Sequence, residues 1–177
     1  MSPTDSASAT ERLVELLSGL VNQSGPIHSP IARPSWNPRR ALVCIQEDKR
    51  EGVARSLAEN GYQVFVAEDT RQAVERMREN QLDVVIIDPR FDAVEQGAVF
   101  VTREVNILRP TQRRRLFLVL LSPSLRTMDA HTAFLNNVNA VVNASDVDEL
   151  PALIEHRIRD FNELYKDFNH VTKMHAL

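Results

Sequence analysis

Glycine is scarce in this sequence and an excess of positive charge is lacking, and each of these facts counts against a class of function. The 177 residues include only five glycines, and no glycine-rich phosphate loop follows any predicted strand. This argues against a nucleotide-binding protein and against a small nucleotide-dependent enzyme. The formal net charge is −3, so the chain has no broad electrostatic attraction for nucleic acid or for an anionic membrane.

A single cysteine, Cys44, excludes an internal disulfide and favours a reducing compartment, the cytoplasm. Because Cys44 stands inside an apolar run, we interpret it as a small buried residue rather than as a reactive thiol. No apolar run approaches the length of a membrane span, and the amino terminus lacks the basic-then-apolar order of a signal peptide. The sequence therefore predicts a cytoplasmic protein without a membrane segment.

The first forty residues have the composition of a tail and a linker. Residues 1–10 are rich in serine, threonine and alanine and are predicted to be disordered. Residues 11–21 predict a short amphipathic helix, and residues 22–40 form a proline-rich linker. A compact domain is expected over residues 41–177. The apolar face of the predicted helix contains Leu13, Leu16, Leu17 and Leu20.

Residues 83–88 are the stretch around which the domain is expected to form. Four β-branched apolar residues stand in a row between two aspartates. Such a run predicts a strand that is buried on both faces, as in the middle of a parallel sheet covered by helices. Pro89 follows and ends the strand because it has no N–H. Asp88 is therefore expected at the carboxyl edge of the sheet, where open α/β sheets bind ligands.

Strand and helix patterns alternate five times after residue 40. This alternation predicts a five-stranded parallel α/β sheet with helices on both faces and right-handed crossovers. The flavodoxin-like strand order 2-1-3-4-5 suits five repeats of this size. The predicted strands lie near 41–45, 63–67, 84–88, 116–121 and 140–142, and the later helices over 94–108, 128–137 and about 151–170. Ala130, Ala133 and Phe134 are expected to face inward.

Residues 41–160 resemble a response-regulator receiver domain, the phospho-acceptor module of bacterial two-component signalling. The resemblance rests on Asp88 after the third strand, on Ser122 after the fourth and on the stretch Gln46-Glu47-Asp48 after the first. It implies that Asp88 is the phospho-acceptor and Ser122 the switch hydroxyl. It also implies an acid pocket of Asp88, Glu47 and Asp48 that holds Mg²⁺ through oxygen ligands. Counting from the strand selects Gln46 and Glu47 as the acidic pair, whereas the charge pattern selects Glu47 and Asp48.

Three positions depart from the receiver pattern. Asn143 stands where the family has a lysine, Ala140 stands where it often has an aromatic switch residue, and the loop 89–93 lacks the usual Met-Pro. The lysine and the metal ion neutralise the phosphoryl oxygens in the transition state, so losing the lysine weakens the chemistry. The stretches 125–129 and 138–143 also resemble a degenerate receiver-like group in bacterial proteins, in which an asparagine after the fifth strand is usual.

Three functions remain open. The interpretation that we favour is a non-catalytic receiver-like module that binds protein partners in a signalling or regulatory assembly. The second is a working phospho-acceptor, in which Asp88, Glu47 and Asp48 hold a divalent ion. The third, a small flavodoxin-like enzyme or nucleotide binder, is disfavoured by the shortage of glycine. No DNA-recognition helix unit follows the receiver-like part, so no nucleic-acid partner is expected.

The last predicted helix carries an apolar seam that is expected to form an interface. A helix over residues 151–170 would be about 30 Å long, whereas a strand of five or six residues spans about 17–20 Å. The end of the helix is therefore predicted to project beyond the sheet and to need a cover. A second subunit in a homodimer is the favoured cover and the amino-terminal helix is the alternative. The residues concerned are Phe161, Leu164, Tyr165 and Phe168.

Overall fold

A computed structural model of the chain describes residues 37–79, 81–172 and Leu177. The predicted disordered tail, the amphipathic helix over 11–21 and all but the last four residues of the predicted linker lie outside these residues. The first strand begins at Arg40, one residue before the expected start of the domain. The Arg40 backbone N–H donates to the buried carboxylate of Asp83 at 2.8 Å.

The described residues form five strands, seven α-helices and one 3₁₀ helix in an alternating order. In chain order they are β1 (Arg40–Cys44), α1 (Glu47–Glu59), β2 (Gln63–Val66), α2 (Thr70–Glu79), β3 (Val84–Ile87), α3 (Gly97–Asn106), α4 (Pro110–Arg113), β4 (Phe117–Ser122), α5 (Ala130–Leu135), β5 (Ala140–Asn143), the 3₁₀ helix (Ala144–Glu149), α6 (Leu150–Leu164) and α7 (Lys166–Thr172).

The five strands make one parallel sheet in the order β2-β1-β3-β4-β5. The predicted topology is therefore confirmed, with β3 at the centre. All four residues of β3 are buried, which agrees with its unbroken β-branched sequence. Its side chains alternate between the two faces with the period of two that a strand imposes. Val84 and Ile86 join one apolar cluster, and Val85 and Ile87 join the other.

Each face of the sheet is covered by helices that bury a narrow apolar stripe. Helices α1 and α6 cover one face, and α2 and α3 cover the other. None of the helices in the described ranges is both long enough and apolar enough to cross a membrane. The buried helix residues include Val53 and Leu57 of α1, Ala73 of α2, Val101 and Val105 of α3, and Ile154 and Ile158 of α6.

Helix α3 is shorter than the predicted span 94–108, because the chain turns between Asp88 and Gly97 before the helix begins. Phe91, in this turn, is buried in the core. A Cβ at Gly97 would lie 2.7 Å from the Thr70 hydroxyl oxygen and 2.9 Å from the Phe91 ring. Only glycine, which has no Cβ, therefore fits where this turn passes so close to α2.

Helix α5 is also shorter than predicted, at six residues instead of ten. Met128 has a left-handed φ of 63°, and the Asp129 carboxylate caps the helix by accepting from the N–H of Thr132. Ala133 is buried as expected, but Ala130 is exposed and Phe134 is 81% exposed. The inward orientation predicted for those two residues is wrong, because a helix this short presents a single residue to the sheet.

The final helix is present as predicted, but it is interrupted at Tyr165. Helix α6 ends at Leu164 and α7 begins at Lys166. The aromatic side chains on both sides of the break form a chain of ring contacts that begins at Phe117 of β4. Phe161 meets Phe117 edge-on with ring centroids 6.2 Å apart, Tyr165 lies 4.7 Å from Phe161, and Phe168 lies 6.4 Å from Tyr165.

The predicted exposed seam is therefore partly covered by this chain itself. Phe161 packs against the apolar cluster, and the Arg114 guanidinium lies 4.4 Å from the Phe168 ring centroid, a cation–π contact. Leu164 remains 77% exposed and Phe168 38% exposed. The expectation that all four seam residues need an outside cover is wrong for Phe161, because its ring packs against Phe117 of β4.

We predict that Phe161 stabilises the domain and Leu164 does not. Phe161→Ala should lower the free energy of unfolding by about 1–2 kcal/mol, since Phe161 is partly buried and full burial of an aromatic contributes about 1.5–3 kcal/mol. Leu164→Ala, the matched control on the same helix, should change it by less than about 0.5 kcal/mol. Urea unfolding followed by circular dichroism measures both. Equal effects would show that Phe161 is not part of the core.

Candidate functional site

The carboxyl edge of the sheet carries three of the predicted site residues. Asp88 follows β3, and its N–H continues the ladder by donating to the Cys44 carbonyl at 3.0 Å. Ser122 ends β4 and is paired in register with Asn143, which ends β5. Parallel strands end at one edge, and these residues therefore share it.

The Asp88 carboxylate is buried and is paired with an arginine two residues later. Asp88 is only 3% exposed. The Arg90 side chain donates to both carboxylate oxygens, from Nε to Oδ1 at 3.4 Å and from Nη2 to Oδ2 at 3.3 Å. The Arg90 backbone N–H also donates to Oδ1, at 2.8 Å. A buried carboxylate requires such compensation, because an unpaired charge in the interior is costly.

The loop that carries Arg90 is held at both sides of that residue. Phe91 is buried in the core. Asp92 accepts from the backbone N–H of Thr70 at 2.8 Å and from its hydroxyl at 2.5 Å. These hydrogen bonds from Thr70 lower the pKa of the Asp92 carboxyl, because they favour the charged form. Arg90 therefore reaches Asp88 from a loop whose course is set by the core and by the start of α2.

Glu47 and Asp48 lie in the first turn of α1 and are both exposed. Arg50 of the same helix donates to the Ile45 carbonyl from Nε and Nη2, at 3.3 and 3.2 Å. The Arg50 side chain therefore lies over the end of β1, beside Glu47 and Asp48. Among the described ranges, no group of three or more histidine, cysteine, aspartate or glutamate side chains is arranged to hold a metal ion. The predicted Mg²⁺ trio of Asp88, Glu47 and Asp48 is not assembled, and these residues do not fit the ion as they stand.

Asn143, at the lysine position, is fully engaged with neighbouring loops. Its Nδ2 donates to the carbonyls of Pro123 and Leu125 at 3.3 and 2.6 Å. Its Oδ1 accepts from the N–H and the hydroxyl of Ser145, both at 2.9 Å. An asparagine amide offers two donors and one acceptor oxygen with two lone pairs. These four contacts use all of that capacity. Asn143 therefore holds the loop after β4 in place through hydrogen bonds.

The loop between β4 and α5 is further tied through Thr127 and Ser122. The Thr127 hydroxyl accepts from the Asn143 N–H at 2.8 Å and donates to Asp146. This hydrogen bond lowers the pKa of the Asp146 carboxyl. Ser122 is buried, and its Oγ lies 3.0 Å from the Ser124 Oγ. The predicted switch hydroxyl thus forms its hydrogen bond with a residue of the loop that follows β4.

Cys44 ends β1 and is buried, as predicted. Burial raises the pKa of its thiol to about 12, and the positive charge of Arg50 opposes this only in part. The thiol therefore remains protonated and unreactive at neutral pH.

Sequence reasoning missed two residues of this edge, Arg90 and Arg50. For Arg90 a signal was present, because a buried aspartate followed two residues later by an arginine on a tight turn can pair with it. Arg50 carries no comparable signal. Its contact with Ile45 depends on how α1 leaves β1, and the residue pattern does not show that.

No protein-family model matches the chain. One curated protein is similar in sequence, the response regulator MprA of Mycolicibacterium vanbaalenii, which is 40% identical over 63 residues. This match spans 33% of the chain and 27% of MprA. It is therefore a local similarity to about a quarter of that protein.

Solved structures resemble the domain over most of its length. A putative response regulator from Chloroflexus aurantiacus superposes with a TM-score of 0.52 and 18% identity, over 68% of this chain and 98% of that one. The receiver domain of the sensor histidine kinase PA1611 from Pseudomonas aeruginosa, solved with magnesium in its active-site cleft, gives 0.51 and 18% over 68% and 97%. The chain has the receiver fold. At this level of identity the similarity establishes the architecture, and the chemistry depends on the residues described above.

We predict that Arg90 and Asp88 of this receiver-like domain are energetically coupled. Arg90→Met should lower the free energy of unfolding by about 1–2 kcal/mol, because it leaves a buried carboxylate with less compensation. The same change should cost much less in the Asp88→Asn background, where no charge remains to be paired. A double-mutant cycle from urea unfolding measures the coupling. Strictly additive effects would contradict the pairing.

Proposed function

We propose that this chain is a non-catalytic, receiver-like protein-interaction module in a bacterial signalling or regulatory assembly, and that its phospho-acceptor site is degenerate. The observation that carries the proposal is the Arg90–Asp88 ion pair, in which Arg90 contacts both oxygens of the carboxylate at the acceptor position. The receiver fold and the local similarity to a response regulator support the signalling context. The lone buried cysteine suits a cytoplasmic location.

The degenerate site follows from the chemistry that phosphoryl transfer requires. An acceptor carboxylate needs a free oxygen to attack phosphorus, and cations must neutralise the phosphoryl oxygens in the transition state. Here Arg90 engages the attacking group itself, and Asn143 is uncharged and engaged with the loop after β4. Glu47 and Asp48 do not form a metal group with Asp88. Each difference opposes acceptance, and together they leave Asp88 a structural role.

A second candidate, a working phospho-acceptor, is favoured by the exposure of Arg90. Its side chain is 50% exposed although its partner is buried, and the guanidinium has room to leave Asp88 for an incoming phosphate. Arginine binds phosphate well through two parallel hydrogen bonds. In this alternative Arg90 would take the part of the missing lysine, and Ser122 would remain the hydroxyl next to the phosphate.

We predict that Asp88 accepts phosphate weakly or not at all. The unmodified chain, incubated with Mg²⁺ and acetyl phosphate, should show no stoichiometric gain of a phosphoryl group by intact mass. The double change Arg90→Met with Asn143→Lys should raise the modified fraction, since it frees the carboxylate and restores a cation. Asn136→Lys, on the exposed end of α5, is the matched control for the added lysine. Rapid stoichiometric modification that Asp88→Asn abolishes would establish the second candidate instead.

We further propose that the uncovered part of the last two helices is the partner surface, through a homodimer. Leu164, Phe168 and Val171 keep 77%, 38% and 80% of their surface exposed. A run of large apolar residues on successive turns is typical of an interface. Phe161 does not belong to this set, because it packs against Phe117.

The change that tests this surface is Leu164→Ser with Phe168→Ser. Light scattering at tens of micromolar should show a dimer for the unmodified chain and a folded monomer for the double variant. Val94→Ser with Ile107→Ser alters two other exposed apolar residues, which lie outside the last two helices, and should leave the dimer intact. A monomeric unmodified chain would rule out the homodimer, although it would not affect the assignment of the acceptor site.

A further inference from the structure

A groove with a volume of about 1030 Å³ opens at the amino edge of the sheet, the edge opposite Asp88. It is lined by residues of α2, α3 and α4 and by residues at or just before the starts of β1, β3 and β4. Part of its wall is apolar. Three partly buried side chains pack against the apolar cluster under α2 and α3 and turn the rest of their surface to the groove, namely Met77, Leu82 and Leu108.

The rim of the groove offers a hydrogen-bond acceptor and two guanidinium groups. Glu104 lines it, and its Oε2 is only loosely paired with Arg78, at 3.9 Å from Nη2. This carboxylate can therefore accept a further hydrogen bond. Arg40 and Arg115 also line the groove, and a guanidinium stacks favourably on an aromatic face. An indole ring uses all three features, because it joins an apolar face to a single N–H donor.

The described part of the chain starts at this groove. Asn37, the first described residue, lines it. The next residues are fixed to the sheet, since the Gln63 N–H donates to the Arg39 carbonyl at 2.8 Å. Pro38 also restricts the backbone of Asn37, because the residue before a proline is confined to extended conformations. Neighbouring Cα atoms are about 3.8 Å apart, so Trp36 is attached directly beside the groove.

We propose that this groove is the docking site of Trp36 of the same chain. Trp36 is the only tryptophan in the sequence, and its neighbours within two residues on either side are proline, serine and asparagine. Those neighbours give the large ring little apolar surface to pack against, whereas the groove gives it an apolar wall. The covalent tether also favours this occupant, because an attached side chain meets the groove at a high effective concentration. Docking of Trp36 anchors the linker to the domain at the edge opposite the candidate acceptor site.

The intrinsic fluorescence of the full chain tests the proposal, because Trp36 is its only tryptophan. Its emission should lie at shorter wavelength than that of N-acetyltryptophanamide. Acrylamide is a neutral quencher that the charges of the rim do not attract, and it should quench Trp36 several-fold less efficiently than the free compound. Leu108→Asp puts a charge into the apolar wall, which disfavours packing of the ring. Both readouts should then move most of the way to the values of the free compound.

Ile107→Asp is the matched control. Ile107 directly precedes Leu108, is 67% exposed and is not among the residues that line the groove. This change introduces the same charge one residue away and should leave both the emission and the quenching of Trp36 unchanged. Circular dichroism checks that both variants are folded.

A double-mutant cycle gives an independent measurement and serves if Leu108→Asp does not fold. Trp36→Ala should lower the urea midpoint of unfolding, because the domain loses the packed ring. Leu108→Ala should lower the midpoint less in the Trp36→Ala background than in the unmodified chain, since the contact between the two side chains is already absent there.

Three results would overturn the proposal. The first is emission and quenching of the unmodified chain that match the free compound, because Trp36 would then be in water. The second is protection of Trp36 that persists in a folded Leu108→Asp chain, or strictly additive effects in the cycle, because the ring would then pack elsewhere. The third is protection that is lost on dilution, because the ring would then enter the groove of a second copy.

Discussion

The carboxylate of Asp88 imposes the constraint on which the functional edge of this domain depends. Asp88 directly follows β3, whose four residues are all buried. A negative charge at this place is costly unless it is paired. Arg90 supplies the pair, and the chain must turn back sharply to bring it there. Phe91 and the Asp92–Thr70 contact hold that turn. The late start of α3 at Gly97 is part of the same arrangement.

The carboxyl edge keeps the positions of a receiver site but connects them differently. In a phospho-acceptor, the groups around the aspartate are free to meet a metal ion and a phosphoryl group. Here Asn143 binds Pro123 and Leu125, and Thr127 joins it to the 3₁₀ helix. The polar groups of Asn143 and Thr127 therefore form hydrogen bonds that hold the neighbouring loops in place. These hydrogen bonds stabilise one conformation of the loops at this edge.

At the opposite end of the domain, the final helices pack against other parts of the same chain. Phe161 packs against Phe117, Tyr165 packs against Phe161, and Arg114 covers part of Phe168. Arg39 and Asn162 hold Leu177 in a pocket on the α1 and α6 face. What remains uncovered is a narrower apolar surface than the seam suggests, centred on Leu164 and Val171. The exposed apolar residues of the final helices are therefore the surface that we propose for a partner.

The sequence by itself determined the five strands, their parallel order and the edge on which Asp88, Ser122 and Asn143 lie. These follow from local signals, namely the period of two in strands and the handedness of βαβ connections. Only the tertiary structure decided that Arg90 pairs with Asp88, that Phe161 turns inward and that Leu177 reaches Asn162. Residue spacing encodes which face of an element is apolar. The direction of a side chain in a loop, or the break of a helix at one residue, depends on distant parts of the chain that pack against it.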